Sequence, residues 1–293
     1  MMSDGEIHVV MAADGPYLKG LEVAKASMVE SCSDPGRLEF HLFGEDAVSL
    51  ERMRREFGTY KGSPMAFLRL YLGELLPDVD WVVYSDVDTI WRRDVCELWD
   101  LRDETKVIQW VKDIPSTQAE AKKWQRRINP SFDESSYCSS GVMLMNLRKM
   151  RSEGILEQAK ELTKEHGLFR YADQDILNSL CNKSCGLLPR CWNLQIPGPD
   201  TPVQCVLHIV GVGRFFDRPY RGGVIQYKYW EHVAKGTPFA CRSILPFYLC
   251  DWMIRLALPF ASVSLRDRIR RRFSWRRFLA LETRREQRRI SCI

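Results

Sequence analysis

Short apolar runs with strand character alternate along this chain with segments whose apolar residues recur at helical spacing. The first run, residues 7–13, is followed by a turn and by a helical pattern over residues 17–31. Such alternation predicts an α/β fold with a Rossmann-like, mostly parallel sheet flanked by helices. Further strands are predicted from Trp81 and at residues 37–43, 106–111, 141–147 and 203–210, and further helices at residues 46–57, 64–76, 117–127, 152–166 and 172–181.

The length and composition of the chain suffice for one large core with a small appendage. The 293 residues are 45% hydrophobic, which argues against disorder. From about residue 241 the sequence changes, first to an apolar stretch and then to an arginine-rich end. We therefore predict one main domain over residues 1–240 and a C-terminal attachment segment over residues 241–293.

Positive charge is concentrated at the C-terminal end. Residues 251–293 hold twelve arginines and four acids, whereas the whole chain has a formal charge of only +5, so the remainder is slightly acidic. Leu265, Ile269 and Phe273 recur there at i, i+4 and i+8 among the arginines. The pattern predicts a helical basic segment that lies on an anionic membrane surface. Nucleic acid is not expected, since no recognised binding module accompanies the arginines, and a solvated or partner-bound tail is the alternative.

The chain carries no pattern typical of export or of a membrane span. Its start, MMSDGEIHVV, lacks the basic and then apolar leader of a signal peptide, and no apolar run reaches about 18 residues. Ten cysteines occur without paired spacing, which predicts free structural thiols in a reducing compartment. Zinc binding by Cys181, Cys185 and Cys191 is not expected, because no C-x-x-C and no suitably spaced histidine accompany them. We expect a cytoplasmic protein that associates peripherally with the cytoplasmic face of the membrane.

Two acids close an apolar strand in the stretch WVVYSDVDTIW, residues 81–91. Asp86 and Asp88 are two positions apart, so on extended backbone their carboxylates point to the same side. Like charges that converge repel each other unless a cation lies between them, which favours a divalent metal site. Acids in a solvated turn are the structural alternative, but an apolar strand leads directly into this pair.

Other polar residues are predicted at the same edge of the sheet. Ligands of open α/β sheets bind beyond the carboxyl ends of the strands, and Asp14 follows the first strand. His208, with Gly211 shortly after it, stands near the end of the last predicted strand. Carboxylate oxygens suit Mg²⁺ or Mn²⁺, and a single imidazole favours Mn²⁺. Such an ion would neutralise a pyrophosphate group.

Five ordered blocks of this sequence resemble glycosyltransferase family 8. They read VVMAADGPYL, FLRLYLGELLPDVDWVVYSDVDTIW, YCSSGVMLMNLRKMR, YADQDILN and LHIVGVGRFF, and they cover about residues 6–216. The family includes bacterial lipopolysaccharide galactosyl- and glucosyltransferases and glycogenin. The resemblance implies a GT-A catalytic domain over residues 1–240, a UDP-hexose donor and Mn²⁺, with Mg²⁺ possible. It also implies transfer of galactose or glucose to a glycan or glycolipid acceptor with retention of anomeric configuration.

The resemblance implies a set of donor and metal contacts. Ala12 and Asp14 would contact the uracil and ribose side of the donor, and Arg69 would lie over its sugar-phosphate region. Gly211 and Arg214 would approach the diphosphate. The complete implied donor set is Ala12, Asp14, Arg69, Asp86, Val87, Ser139, Gly211 and Arg214, and the implied metal ligands are Asp86, Asp88 and His208.

Three further residues are implied to act at the transferred sugar, namely Asp113, Asp173 and Gln174. Asp113 would bind sugar hydroxyls, and Gln174 would lie on the face opposite the leaving group. Because an amide is a poor nucleophile, we expect front-side substitution in which the departing UDP phosphate helps to deprotonate the acceptor. Asp173 is the alternative nucleophile, and its structural alternative is a helix N-cap.

Several positions depart from the common family pattern. Ser139, Ser140 and Gly141 stand where relatives usually carry Asn-Ala-Gly, so a sugar-facing amide is replaced by a hydroxyl and the donor sugar stays open. Pro16 stands where an Asn often contacts the nucleotide. Arg214 stands where Lys is usual, which keeps the charge but presents it as a planar fork.

Two other functions stay open at this point. A sugar nucleotidyltransferase would normally show a Gly-rich basic phosphate loop near the N-terminus, and MAADGPYLKG is poor in both residue types. A catalytically inactive sugar-nucleotide-binding scaffold at the membrane is the second alternative, to which the hydroxyl at Ser139 lends slight support.

Overall fold

A six-stranded, mostly parallel sheet forms the centre of the molecule. The computed structural model describes residues 5–44, 50–60, 62–128, 132, 136–167, 169–195 and 204–209. Its strands are β1 (Ile7–Ala12), β2 (Leu38–Phe43), β3 (Trp81–Ser85), β4 (Thr89–Trp91), β5 (Ile108–Lys112), β6 (Cys138–Asn146), β7 (Cys185–Leu187) and β8 (Val206–His208). The large sheet has the order β2-β1-β3-β6-β5-β7, and β6 alone runs antiparallel to its neighbours.

Helices and loops cover both faces of this sheet. The helices are α1 (Leu18–Ser31), α2 (Leu50–Phe57), α3 (Leu68–Leu75), α4 (Val95–Trp99), α5 (Pro115–Ile128), α6 (Leu147–Ser152), α7 (Ile155–His166) and α8 (Asp173–Cys181). Side chains of β3 alternate between two cores: Val83 packs in the core that includes α1, whereas Val82 and Tyr84 pack in the core that includes α3 and α6 to α8. Because both faces are buried, β3 reads as a continuous apolar run.

The α/β fold class predicted from the sequence is confirmed, with two corrections to its elements. The helix predicted over residues 152–166 corresponds to α7, which begins only at Ile155 because Gly154 adopts a left-handed conformation with φ 62° and ψ 38°, and the short helix α6 before it was not predicted. The helix predicted over residues 64–76 begins as a 3₁₀ turn, Met65–Phe67, before α3. Residues 46–49 and the predicted basic segment, residues 241–293, lie outside the described residues.

The last predicted strand does not join the large sheet. β8 pairs antiparallel with β4 in a separate two-stranded sheet, and the register places His208 opposite Thr89. The backbone N–H of Ile209 donates to the carbonyl of Asp88 at 2.8 Å, which extends this pairing by one step. A histidine remote in sequence is thereby brought beside the two acids that follow β3.

The described residues include no helix that is both long and apolar enough to cross a bilayer. Their seven cysteines are free thiols, and all but Cys185 are buried. This agrees with the prediction of structural thiols for that part of the chain.

We expect Gly154→Ala to destabilise the protein by about 1 kcal/mol, since a Cβ disfavours the left-handed backbone that divides α6 from α7. A Cβ at this position would meet no atom within 4 Å, so the loss would come from the backbone alone. Urea unfolding measures it. The control is Gly36→Ala, whose Cβ makes only an ordinary 3.5 Å contact with Asp34 Oδ1. Equal losses in the two variants would contradict the backbone argument.

Candidate active site

The carboxyl ends of β1 and β3 lie side by side and carry acids into one edge of the sheet. The two strands are parallel, with Val10 opposite Tyr84, so Ala12 and Asp86 lie at nearly the same level. Asp14 follows β1, and its Oδ2 accepts a hydrogen bond from Ser63 Oγ. The predicted location of these acids at the carboxyl edge is therefore confirmed.

A tight turn holds the acidic pair between β3 and β4. The carbonyl of Asp86 accepts hydrogen bonds from Thr89 Oγ1 at 2.8 Å and from Ser85 Oγ at 3.1 Å. Its N–H donates to the carbonyl of Gly141 in β6 at 2.7 Å. The backbone of Asp86 is thus fixed from both sides, and the Asp86 and Asp88 side chains each remain 26% exposed. That exposure leaves both carboxylates within reach of a ligand.

His208 completes a three-residue cluster with the two acids. Its Nε2 lies 3.1 Å from Asp88 Oδ1 and 3.6 Å from Asp86 Oδ2. The ring packs directly against Gly141, where a Cβ would come within 2.5 Å of Nδ1. A larger residue at position 141 would therefore displace the imidazole from the carboxylates.

The cluster fits a divalent cation by its spacing and by its ligand types. One ligand atom from each of Asp86, Asp88 and His208 lies within 4.8 Å of the other two. Asn193 Oδ1 lies 2.8 Å from His208 Nδ1, and since an amide oxygen only accepts, Nδ1 carries the proton and Nε2 is left for coordination. Two carboxylates and an imidazole form a ligand set that Mn²⁺ or Mg²⁺ accepts.

Arg69 is the buried cation of the site. Its Nη2 donates to Asp86 Oδ1 at 2.9 Å and its Nη1 donates to the Ser140 carbonyl at 2.7 Å. Its Nε lies 3.1 Å from Asp173 Oδ2, a charge contact without the alignment of a hydrogen bond. The guanidinium also lies 4.2 Å from the ring centre of Tyr84. One side chain thus joins α3, β3, β6 and α8.

Burial and charge shift the protonation equilibria of these groups. Desolvation raises the pKa of Asp86, and it raises the pKa of Asp173 to about 6, although the positive charge of Arg69 opposes both shifts. Burial alone would lower the pKa of His208, but the negative charges of Asp88 and Asp86 outweigh it and raise that pKa. The site is therefore rich in negative charge that a bound cation would stabilise.

Gln174 lies at the centre of a second hydrogen-bond network. Its Oε1 accepts from the Ser140 N–H at 3.0 Å, and its Nε2 donates to Asp113 Oδ2 at 2.7 Å and to Tyr137 Oη at 3.2 Å. Tyr137 donates in turn to Asp175 Oδ1 at 2.6 Å. The structure thus brings Asp113 and Gln174, two of the residues implied to act at the transferred sugar, into direct contact and fixes the orientation of the amide.

The remaining predicted residues are placed as follows. Val87 is buried in the turn between the two acids, and Ser139 is buried in β6 with its Oγ 3.1 Å from Asn193 Nδ2. Asp173 is the first residue of α8 but not its N-cap, which is Ala172. The Asp173 carboxylate instead accepts from Ser140 Oγ at 2.9 Å. Gly211 and Arg214 lie outside the described residues.

Sequence reasoning missed the residues that support the site from behind. Asn193 orients His208, Tyr137 links Gln174 to Asp175, and Ser140 contacts both α8 and Arg69. Single polar residues inside a proline-rich loop or an apolar strand have no periodic signal. The one signal near Asn193 is the proline-rich composition of residues 189–202, which indicates a loop.

A cavity of about 440 Å³ opens beside this network. Asp113, Asn193 and Gln195 contribute polar groups to its wall, and Leu187 and Leu188 contribute apolar surface. Burial raises the pKa of Asp113 above its ordinary value, against hydrogen bonds from the Ile114 N–H and Gln174. The cavity therefore borders Asp113, which contacts Gln174, and Asn193, which contacts His208 of the candidate metal cluster.

The model of the family described as Glycosyl transferase family 8 matches residues 59–209. The chain is 27% identical over 231 residues to glucoside xylosyltransferase 2 of Mus musculus, which covers 64% of this chain and 52% of that protein. It is 29% identical over 129 residues to the lipopolysaccharide 1,2-glucosyltransferase of Escherichia coli K12, which covers 43% of this chain and 37% of that protein. The chain spans about half or less of the length of these curated relatives.

A solved structure shares the fold of the chain. The galactosyltransferase LgtC, in complex with donor and acceptor sugar analogues, aligns with 79% of this chain and 96% of its own at a TM-score of 0.60 and 21% identity. This likeness shows that the mixed α/β fold described above is the GT-A fold predicted from the sequence. Because the family model covers more than half of its residues, the chain belongs to glycosyltransferase family 8.

Proposed function

We propose that this chain is a retaining hexosyltransferase that moves glucose or galactose from a UDP-sugar to a glycan or glycolipid acceptor. Family membership supports glycosyl transfer as the reaction class. The use of a UDP-sugar is supported by the cluster of Asp86, Asp88 and His208 at the carboxyl edge of the sheet, where a diphosphate donor would need a cation. The relative from Escherichia coli, a lipopolysaccharide 1,2-glucosyltransferase, supports a hexose donor and a glycolipid acceptor.

The proposed cofactor is Mn²⁺, with Mg²⁺ as the alternative. Two carboxylates and the imidazole of His208 would hold it, and Asn193 keeps the imidazole in the tautomer that coordination requires. When bound, such an ion neutralises the donor diphosphate and stabilises negative charge on the departing UDP.

The proposed donor contacts at the nucleotide side are Ala12 and Asp14, which follow β1 next to Asp86. Arg69 is 5% exposed, and its guanidinium is engaged by two carboxylates and a carbonyl. This supports a role in orienting Asp86 rather than direct contact with the phosphates. Val87 and Ser139 complete the proposed donor wall, and Gly211 and Arg214 stay proposals for the diphosphate side.

The contacts of Gln174 support front-side substitution. Its carbonyl oxygen already accepts from the Ser140 N–H, so it has little capacity to attack a sugar carbon. Asp173, the alternative nucleophile, faces Arg69 and Ser140 Oγ and is 4% exposed. In the proposed reaction the acceptor oxygen bonds to the anomeric carbon as the bond to UDP breaks. The acceptor proton passes to the departing phosphate oxygen.

The 440 Å³ cavity is the proposed entry of the acceptor. Asp113 at its wall would accept hydrogen bonds from sugar hydroxyls, and Leu187, 53% exposed, offers an apolar surface for the face of a sugar ring. Lys112 and Arg190 add positive charge to the lining. These features suit a glycan that carries acidic substituents better than a neutral apolar molecule.

We expect the full-length protein with Mn²⁺ to release UDP from UDP-glucose or UDP-galactose faster than from UDP-xylose. The panel includes UDP-xylose because one relative is named a xylosyltransferase. Chromatographic UDP detection measures the rates, and incubation of UTP with glucose 1-phosphate provides the control for nucleotidyl transfer. Preference for UDP-xylose would contradict the hexose, pyrophosphate release from UTP would indicate a nucleotidyltransferase, and donor binding without turnover would indicate an inactive scaffold.

We expect Asp88→Asn to lower UDP release about 100-fold or more, because even residues that only support a metal ligand change activity by about 10- to 100-fold. Electron paramagnetic resonance of Mn²⁺ should show weaker binding by the same variant, and circular dichroism should show an unchanged fold. The matched control is Asp78→Asn, an exposed acid before β3. Near-normal turnover of Asp88→Asn with Mn²⁺ would refute the metal assignment.

We further propose that residues 241–293 attach the protein peripherally to the cytoplasmic face of an anionic membrane. The proposal rests on the arginines and the apolar spacing of the sequence, since this segment lies outside the described residues. Each basic residue near such a surface contributes roughly 1 kcal/mol of attraction, so a cluster suffices for reversible attachment.

Neutralising Arg270, Arg271 and Arg272 together to Gln should lower sedimentation with phosphatidylglycerol vesicles by about 100-fold in partition coefficient, since three contributions of roughly 1 kcal/mol are lost. Arg54→Gln with Arg55→Gln in α2 is the control, and neutral phosphatidylcholine vesicles should pellet none of the variants. Equal pelleting of all variants would contradict membrane attachment through residues 241–293.

A further inference from the structure

Two cysteines and an acid from distant parts of the chain meet at the end of α1. Cys32 directly follows α1, and Asp94 and Cys96 lie at the start of α4. The Sγ atoms of Cys32 and Cys96 are 3.6 Å apart, and both residues are 9% exposed. Because α1 leads away from the carboxyl edge where β1 ends, this cluster is separate from the candidate active site.

The spacing of the two sulfur atoms distinguishes between a metal site and a disulfide. Two thiolates bound to one tetrahedral Zn²⁺ at about 2.3 Å lie about 3.8 Å apart. The sulfur atoms of a disulfide are about 2.05 Å apart. The observed 3.6 Å separation differs from the metal geometry by about 0.2 Å but from the disulfide by about 1.5 Å. The separation is that of a hydrogen bond between two thiols, and it is also close to one edge of a thiolate tetrahedron, so Zn²⁺ could bind with little movement of the sulfur atoms.

Asp94 supplies a third ligand whose orientation is fixed. A ligand atom from each of Cys32, Asp94 and Cys96 lies within 4.8 Å of the other two. Asp94 Oδ1 accepts from the Cys96 N–H at 2.9 Å, and Ser33 also hydrogen-bonds this carboxylate. Hydrogen bonds of this kind hold a metal-binding carboxylate in one orientation and keep it ionised.

We propose that Cys32, Asp94 and Cys96 bind a borderline-soft divalent cation of the Zn²⁺ class. Coordination replaces the proton of each thiol by a bond to the metal, so two protons are released for each ion bound. Three protein ligands leave the fourth tetrahedral position to a water molecule. The ion would tie the end of α1 to the segment that follows β4.

The ligand chemistry separates this site from the active-site cluster. Thiolates select zinc-like ions, whereas carboxylates and water suit Mn²⁺ and Mg²⁺. The active-site cluster offers two carboxylates and an imidazole but no sulfur. The two sites therefore differ in whether sulfur ligates the ion, and the thiolate site stands whether or not the proposed reaction is correct.

The experiment is a Zn²⁺ titration of the full-length, reduced protein after chelator treatment, in competition with a chromophoric chelator. We expect one tightly bound Zn²⁺ and a raised Tm, and Co²⁺ in its place should give thiolate-to-cobalt charge-transfer absorption. Cys32→Ser with Cys96→Ser should abolish all three signals. Cys185→Ser, at a half-buried cysteine outside the cluster, and Asp88→Asn in the active site should retain them.

If the double variant fails to fold, a measurement on the wild-type protein still tests the proposal. X-ray absorption of its bound Zn²⁺ should show two sulfur ligands together with oxygen or nitrogen. A Zn²⁺ shell without sulfur, or Zn²⁺ affinity unchanged in Asp94→Asn with Cys96→Ser, would overturn the proposal. A disulfide would also overturn it. In that case the mass of the air-exposed protein would be two hydrogens lower, Cys32 and Cys96 would be joined, and the reduced protein would bind no Zn²⁺.

Discussion

The ion pairs of Arg69 are the interaction on which the site depends. This guanidinium contacts Asp86 and Asp173 while 95% of the residue is removed from solvent, and it also binds a carbonyl of β6. Burial alone would lower the pKa of Arg69, but Asp173 and Asp86 raise it above its ordinary value. Buried charges are tolerated only when partners surround them, so removal of any of the three would leave uncompensated charge. The turn that carries Asp86 and the start of α8 are thereby held together.

The network around Gln174 extends this constraint toward the cavity. Ser140 connects the two networks, because its carbonyl binds Arg69 while its N–H and hydroxyl bind Gln174 and Asp173. Its neighbour Ser139 carries a hydroxyl at the position where the family resemblance implies an amide. The structure nevertheless places the amide of Asn193 3.1 Å from Ser139 Oγ, so an amide from another element stands beside the hydroxyl. The polar surface around Ser139 therefore depends on two segments, β6 and the loop that holds Asn193, which are far apart in sequence.

The parts of the structure that were predictable from the sequence are those with a local signal. β3 was recognised because burial on both faces makes it continuously apolar, and the acids after it because polar residues interrupt that run. The pairing of β8 with β4 was not predicted, since a strand pattern carries no information about its partner. Helix α6 was missed because its six residues are too few to show a helical period. Asn193 and the cluster of Cys32 and Cys96 were missed because only tertiary packing gives them partners.

The position of His208 has a consequence for synthesis on the ribosome. The six strands of the large sheet are all present once residue 187 has left the exit tunnel, whereas the imidazole arrives with residue 208. Until His208 is synthesised, no imidazole packs against Gly141 of β6 or lies beside the carboxylates of Asp86 and Asp88. A nascent chain that ends near residue 187 contains all six strands of the central sheet but lacks the third residue of the candidate ion site. The strands of the central sheet are thus synthesised before the last member of the Asp86, Asp88 and His208 cluster.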